Sequence, residues 1–158
     1  MFRGLTRKKQ EISFAECEEI LEKERRGVLS VLGEQGYPYG MPMNHYYEKE
    51  EGVIYFHCGR GGHRYDAIRE HDRVSLCVYE QGSPCSDHWA LSVRSVIVFG
   101  QIEVVEDREQ IERITYRLSR RFTDDEEYIQ NEIRQYAKGT LLLKLTPTHI
   151  CGKRVKEC

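Results

Sequence analysis

The run from Ser92 to Val105 restricts the fold more than any other segment. It is long, rich in β-branched residues and broken by Gly100. Such a run reads as one long bent strand, or as two strands joined at a bulge, because branched side chains pack well on a pleated surface and glycine tolerates the kink. A strand of that length needs partners. The chain offers Val28 to Leu32, Tyr37 to Tyr47, Val53 to Cys58, Val74 to Tyr79 and Thr140 to Thr146. Hairpin-sized links join several of them, with Gly33-Glu34-Gln35-Gly36 as a turn. Strands and helices do not alternate regularly, which argues against a doubly wound parallel sheet and for an antiparallel barrel with helices outside it. The expectation is a mainly β (α+β) chain with about six strands and three to four peripheral helices.

Helices are expected where apolar residues recur at helical spacing behind a cap. Ser13-Phe14-Ala15-Glu16 reads as a capping box, followed by Phe14, Cys17, Ile20 and Leu21 on one face. A short helix is predicted around Tyr65 to Glu70. Asp107 opens another, with Ile111, Ile114 and Leu118 along one side. Thr123 to Glu126 reads as a second capping box, for a helix ending near Gly139. Gln81 to His88 is polar and reads as a loop. Pro42 marks its strand as an edge, a bulge, or a place where something approaches the backbone.

At 158 residues the chain is expected to form one domain, 1–158, with a basic arm over 1–12 and a tail over 151–158. The formal charge of -2 does not favour nucleic-acid binding, and the arm reads as a solvated tail. The start lacks the apolar core of a signal peptide, and no run approaches the ~18 apolar residues of a membrane span. The six cysteines are irregularly spaced, so reduced thiols and a cytoplasmic location are expected. Cys85 and His88 have the spacing of half a zinc site, but the other half has no partner, and no metal is expected. Cys17 and Cys77 read as core residues.

Three stretches carry candidate chemistry. In the first, a strand ends in His57-Cys58, a glycine-rich loop Gly59-Arg60-Gly61-Gly62 follows, and His63-Arg64 opens a helix. Glycines admit an anion close to the backbone, a helix N-terminus offers free N–H donors, and arginine grips phosphate in a bidentate way. The pattern is neither a Walker loop nor a dinucleotide fingerprint. It is a phosphate pocket or a plain glycine turn with exposed bases. In the second, Pro42-Met43-Asn44-His45 could line a flat ring or be an ordinary core strand. In the third, Arg94-Ser95 interrupts an apolar strand ahead of Val96, and the cation needs an anionic ligand or a carboxylate partner. His45 and His57 are candidates for acid–base work.

Taken in order, these stretches give the chain a resemblance to the pyridoxamine-phosphate-oxidase-like proteins, in their nitroimidazole-resistance branch. The likeness starts at Met1-Phe2-Arg3 and Arg7-Lys8-Lys9-Gln10. It continues through Glu34 to Asn44, Tyr55 to Arg64, Asp66-Ala67-Ile68, Arg73 to Val78, Arg94-Ser95-Val96 with Gly100, and Gly152-Lys153. The resemblance implies a split β-barrel homodimer with FMN at the subunit interface (FAD is the alternative), acting on a small molecule. His63 and Arg64 would hold the phosphate, with His57, Cys58, Gly59, Arg60 and Gly62 beside it. Pro42 to His45 would run along the flavin ring, and Arg94, Ser95 and Val96 would supply a polar contact. Relatives commonly carry Ser-Ala where Cys58-Gly59 stand, and often Lys at Arg64. The expected activity is FMN-dependent oxidoreduction; the alternative is a non-catalytic flavin- or haem-binding module.

Overall fold

A computed structural model describes residues 2–85 and 89–157. Its strands are β1 (Arg26–Leu32), β2 (Pro38–Asn44), β3 (Tyr46–Glu48), β4 (Val53–Gly59), β5 (Arg73–Tyr79), β6 (Ser83–Pro84), β7 (Leu91–Val105) and β8 (Thr140–Lys156). Its α-helices are α1 (Phe14–Lys23), α2 (His63–Glu70), α3 (Arg108–Arg120) and α4 (Glu126–Tyr136). All strand pairings are antiparallel, in the order β2-β1-β5-β7-β8-β4-β3, with β6 paired to β7. The sheet curls into a half-barrel of eight strands rather than about six. One addition is the two-residue β6. The other arises because the expected strand from Tyr37 to Tyr47 is two strands, broken at His45.

That break organises the fold. β2 pairs with β1 at one end of the sheet, and β3 pairs with β4 at the other. Only His45 separates them, so the sheet must curl until its two ends meet. His45 is fully buried at this seam. Its Nε2–H donates to the Leu21 carbonyl (3.0 Å), and its Nδ1 has no partner. Arg121, just past α3, donates to the carbonyls of His45 (2.6 Å), Glu22 (2.7 Å) and Glu24 (2.6 Å). One guanidinium thus ties the seam to the carbonyls that the end of α1 leaves unpaired. Beside it, Glu48 of β3 is buried and paired with Arg117 and Arg113 of α3.

β7 is a single strand, and its irregularity falls between Phe99 and Gly100. Phe99 pairs with His149 and Gly100 with Pro147, which leaves Thr148 unpaired as a bulge. A Cβ at Gly100 would collide with the Thr146 carbonyl and come within 3.0 Å of the Pro147 Cα. β8 therefore passes through Pro147 and runs to Lys156. The expected tail from Cys151 is mostly strand.

The Ser13–Glu16 capping box is present: Glu16 N–H donates to Ser13 Oγ (3.3 Å) and Ser13 N–H to the Glu16 carboxylate (2.9 Å). Cys17, Ile20 and Leu21 are buried as expected, but Phe14 is 59% exposed, and Ile12 takes the buried place ahead of the helix. The box expected at Thr123 is replaced by a cap two residues later. Asp125 accepts from Tyr128 N–H (3.0 Å), while the Thr123 hydroxyl accepts from Asp125 N–H (3.1 Å). Cys77 is half-buried, on the sheet face opposite Leu76 and Val78. Among the described residues no helix is long and apolar enough to cross a membrane.

Two outcomes follow from the seam and the bulge. Burial first, then the Arg121 charge, lowers the His45 pKa from 6.5 to about 4. Above pH 6.5 both folded and unfolded chains carry a neutral His45. As pH falls from 6.5 to about 4, only the unfolded chain gains the proton, and about 3 kcal/mol of stability is lost. Urea midpoints measured from pH 7 to 4 will fall more steeply for the wild type than for His45→Gln; parallel curves would refute this role. Gly100→Ala will lower stability by about 2 kcal/mol, read from the same unfolding curves at pH 7.

Candidate functional site

Where the two ends of the sheet meet, β2 and β4 lie side by side without ladder hydrogen bonds between them. The split leaves a cleft of about 530 Å³. β1 and β2 contribute Arg26, Pro42, Met43 and Asn44 to its walls. β4 contributes His57, Cys58 and Gly59, α2 contributes Arg64, and Gly139 and Thr140 close it at the start of β8. Pro42 sits on the edge strand, where its missing N–H costs no ladder bond.

Arg64 is the most informative group. It is half-buried, its Nη1 lies 3.7 Å from the Met43 sulfur, and its Nε is buried with no hydrogen-bond partner among the described residues. It makes no ion pair among the described residues. A guanidinium held this way needs an anion. Arg26 stands across the cleft, its Nε donating to Asn44 Oδ1 (2.9 Å). His57 is exposed by surface area, yet the protein packed around its ring, and then the charge of Arg64, pull its pKa below the ordinary 6.5, so His57 is neutral at pH 7. Burial pushes the Cys58 thiol up, against the weaker opposing pull of Arg64, so Cys58 stays protonated. The cleft combines two arginines, a neutral imidazole and the Pro42–Met43 edge, groups that could hold an anion and a flat ring.

The structure gathers only some of the residues expected from sequence. Pro42, Met43, Asn44, His57, Cys58, Gly59 and Arg64 share the cleft. His45 does not line it, and its acid–base candidacy gives way to the structural role at the seam. His63 is turned aside and stacks on Tyr39, with ring centroids 4.3 Å apart. Arg60 and Gly62 are exposed and stand outside the lining. Gly62 instead sets the entry to α2 at φ +98°.

Arg94, Ser95 and Val96 are on the far stretch of β7. The open choice for Arg94 resolves to carboxylates: it binds Glu80 (2.7 Å) and Glu19 (3.0 Å), joining the sheet to α1. Ser95 pairs with Tyr79 and Lys153, and Val96 is fully buried. Sequence reasoning missed Arg26 and Thr140. Arg26 carried no motif, although an arginine just ahead of Gly27 in a strand gave a weak signal. Of the Cys85–His88 pair, His88 lies outside the described residues. A hollow of similar size, about 580 Å³, lies against Phe2, Leu32, Val74 and Phe99 with Arg73 at its border, and is mainly apolar.

Comparison with known proteins bears on the family and the fold. A family model described as pyridoxamine 5'-phosphate oxidase matches residues 13–154. No curated protein sequence matches. Among solved structures, the chain is similar to a candidate 5-nitroimidazole antibiotic resistance protein from Bacteroides thetaiotaomicron. Identity is 19%, covering 92% of this chain and 87% of the other, with a TM-score of 0.77. A conserved hypothetical protein from Mycobacterium tuberculosis is 19% identical over 95% of this chain and 90% of the other, with a TM-score of 0.79. A FAD-binding protein from Mesorhizobium loti is 20% identical over 92% and 97%, with a TM-score of 0.65. These likenesses establish the antiparallel split-barrel fold, and the family match, which spans both walls of the cleft, shows that the chain belongs to the pyridoxamine 5'-phosphate oxidase family.

Proposed function

We propose that the protein is a flavin-dependent oxidoreductase that holds FMN in the seam cleft. The observation that carries this reading is Arg64, a cation set between two strands with a buried Nε and no carboxylate. Arg64 and Arg26 would hold the phosphate. The Pro42-Met43-Asn44 edge would run along the ring, with Asn44 offering a polar group. A bound flavin supplies hydride or electron transfer, and the protein supplies orientation and charge. The small-molecule substrate is the other reactant. The neutral His57 ring holds a hydrogen bond or takes up a proton beside the cleft. Cys58 stays a buried thiol that fills space under the loop.

A second copy of the chain completes this reading. Pro42, Val28, Cys77, Ile97 and Cys151 are successive cross-strand partners on the face away from the core. Four of them are half-buried and mainly apolar, and Pro42 reaches the rim of the cleft. Ser95 lies one register step along the same face with Tyr79 and Lys153. It can meet a flavin only in a partner's cleft. A homodimer paired through this face brings the two separated groups of expected site residues to one place.

Protein purified without added cofactor will show flavin absorption bands and release the mass of FMN on heating. Release of FAD would change the cofactor, and a colourless protein that fails to bind added FMN would overturn the reading. Arg64→Ala will weaken FMN binding by about 10- to 100-fold, as loss of a charged hydrogen-bond partner does. Reduction of the flavin by NADH or NADPH separates an enzyme from a carrier. With His57→Asn, turnover will lose the acid limb that the wild type shows below the lowered pKa of His57. Light scattering will give twice the 18.6 kDa chain mass, and Cys77→Arg will give a monomer with weakened flavin binding.

A further inference from the structure

The flavin reading uses one side of His57. The other side opens on a separate hollow of about 250 Å³ between β4 and the hairpin formed by α3 and α4. His57 and Thr140 line both spaces. Phe122, Tyr128 and Tyr136 stand around the second one, and each is partly exposed. Leu118 and Ile133 add apolar wall.

Two polar groups in this hollow have no partner. The Thr115 hydroxyl is buried and makes no hydrogen bond. The Glu132 carboxylate makes no hydrogen bond or ion pair among the described residues. Of the other acidic residues on this hairpin, only Glu109 and Glu127 likewise lack a partner among the described residues, and both are exposed and stand outside the hollow. Glu112 binds Arg108, Asp125 caps α4, and Glu126 accepts from Tyr116 and Gln130. An unmatched carboxylate framed by aromatic rings suits a cation with a flat apolar body. Ring faces and carboxylate both attract positive charge, and partial removal from water strengthens both. The volume suits a single ring with a short substituent rather than a dinucleotide.

We propose that the α3–α4 hollow binds a small single-ring aromatic molecule carrying a cationic nitrogen. Glu132 receives the nitrogen, Tyr128 and Tyr136 flank the ring, and the Thr115 hydroxyl offers a further hydrogen bond. Where this makes the molecule the partner of the flavin across His57, it rests on the flavin reading; the binding itself does not.

The test is titration of the ¹⁵N-labelled protein with benzylamine, benzyl alcohol and benzoate, following amide shifts. The three probes share a ring and differ in charge. Benzylamine is expected to move the amides of residues 115–119 and 128–137, and to bind at least about tenfold more tightly than benzyl alcohol. Benzoate is expected to leave them unmoved. Glu132→Gln will abolish the preference for benzylamine while leaving the visible spectrum unchanged. Thr115→Val, close in shape and lacking only the hydroxyl, will weaken benzylamine binding without reversing the preference. Absence of shifts at millimolar benzylamine, equal binding of benzoate, or a preference that survives Glu132→Gln would overturn the proposal. A protein that neither carries nor binds FMN yet still selects benzylamine would sink the flavin reading and leave this site standing.

Discussion

The architecture depends on a one-residue crossing. β2 and β3 belong to opposite ends of the sheet, yet only His45 lies between them. Successive Cα atoms are about 3.8 Å apart, so two sheet edges that pairing alone would leave far apart are held within two residues' reach. Curling is therefore a covalent consequence of the register rather than an added preference. The junction is buried, and its polar atoms need partners. Leu21, Arg25 and Arg121 provide them for all but the ring Nδ1 of His45, the Arg25 carbonyl accepting from His45 N–H at 3.2 Å. The same geometry makes the cleft. Two strands drawn together by a crossing, but not hydrogen-bonded to one another, leave a groove between their edges.

The charges sort around that groove. The chain is almost neutral, so its overall field selects little. Individual arginines are far more particular. Arg94 and Arg154 hold α1 to the sheet through Glu80, Glu19 and Glu16; Arg113 and Arg117 meet Glu48; Arg121 takes backbone carbonyls. These contacts are structural, and they consume the positive charge nearest to them. Arg64 differs in facing a thioether instead of a carboxylate. This contrast among arginines within one molecule, more than any motif, is the ground for the anion site proposed in the cleft.

What the sequence could reveal followed from how local each signal was. The Ser13 capping box lies within four residues, and it forms. The Thr123 box looked the same, but there the hydroxyl is occupied by Asp125 N–H, and Asp125 is the stronger cap. The run from Tyr37 to Tyr47 looked continuous because His45 sits among strand-forming tyrosines, and no local pattern shows that a strand has changed neighbours. The last strand was expected to end at Thr146, whereas the Thr148 bulge absorbs Pro147 and β8 continues. His63 and Arg64 were a pair in sequence, but at a helix start successive side chains point about 100° apart, so only one of them faces the cleft. Arg94 was undecidable without its partners, since Glu19 and Glu80 arrive from other elements. The strand end, glycine loop and helix start from His57 to Arg64 were legible because each is local, although of this stretch only His57, Cys58, Gly59 and Arg64 line the cleft. Arg26 was not, because its place depends on pairing with Asn44.

β4 shows how these levels join. Its residues are apolar on both faces, as suits a strand buried on both sides. Ile54, Phe56 and Cys58 point into the main core, while Val53 and Tyr55 pack with Ile111, Ile114 and Leu142 under α3. The strand is thus a wall between two packed regions. His57 continues the row of Val53 and Tyr55 on the outer side, one step beyond the point where that second core ends. There the hairpin of α3 and α4 no longer fills the space, and the hollow lined by Thr115 and Glu132 begins. On the other side, Cys58 and Gly59 border the cleft. A histidine at this position is placed by the exhaustion of apolar packing on one face of a strand. Of the described β4 side chains it alone borders both cavities, as Thr140 does from the start of β8.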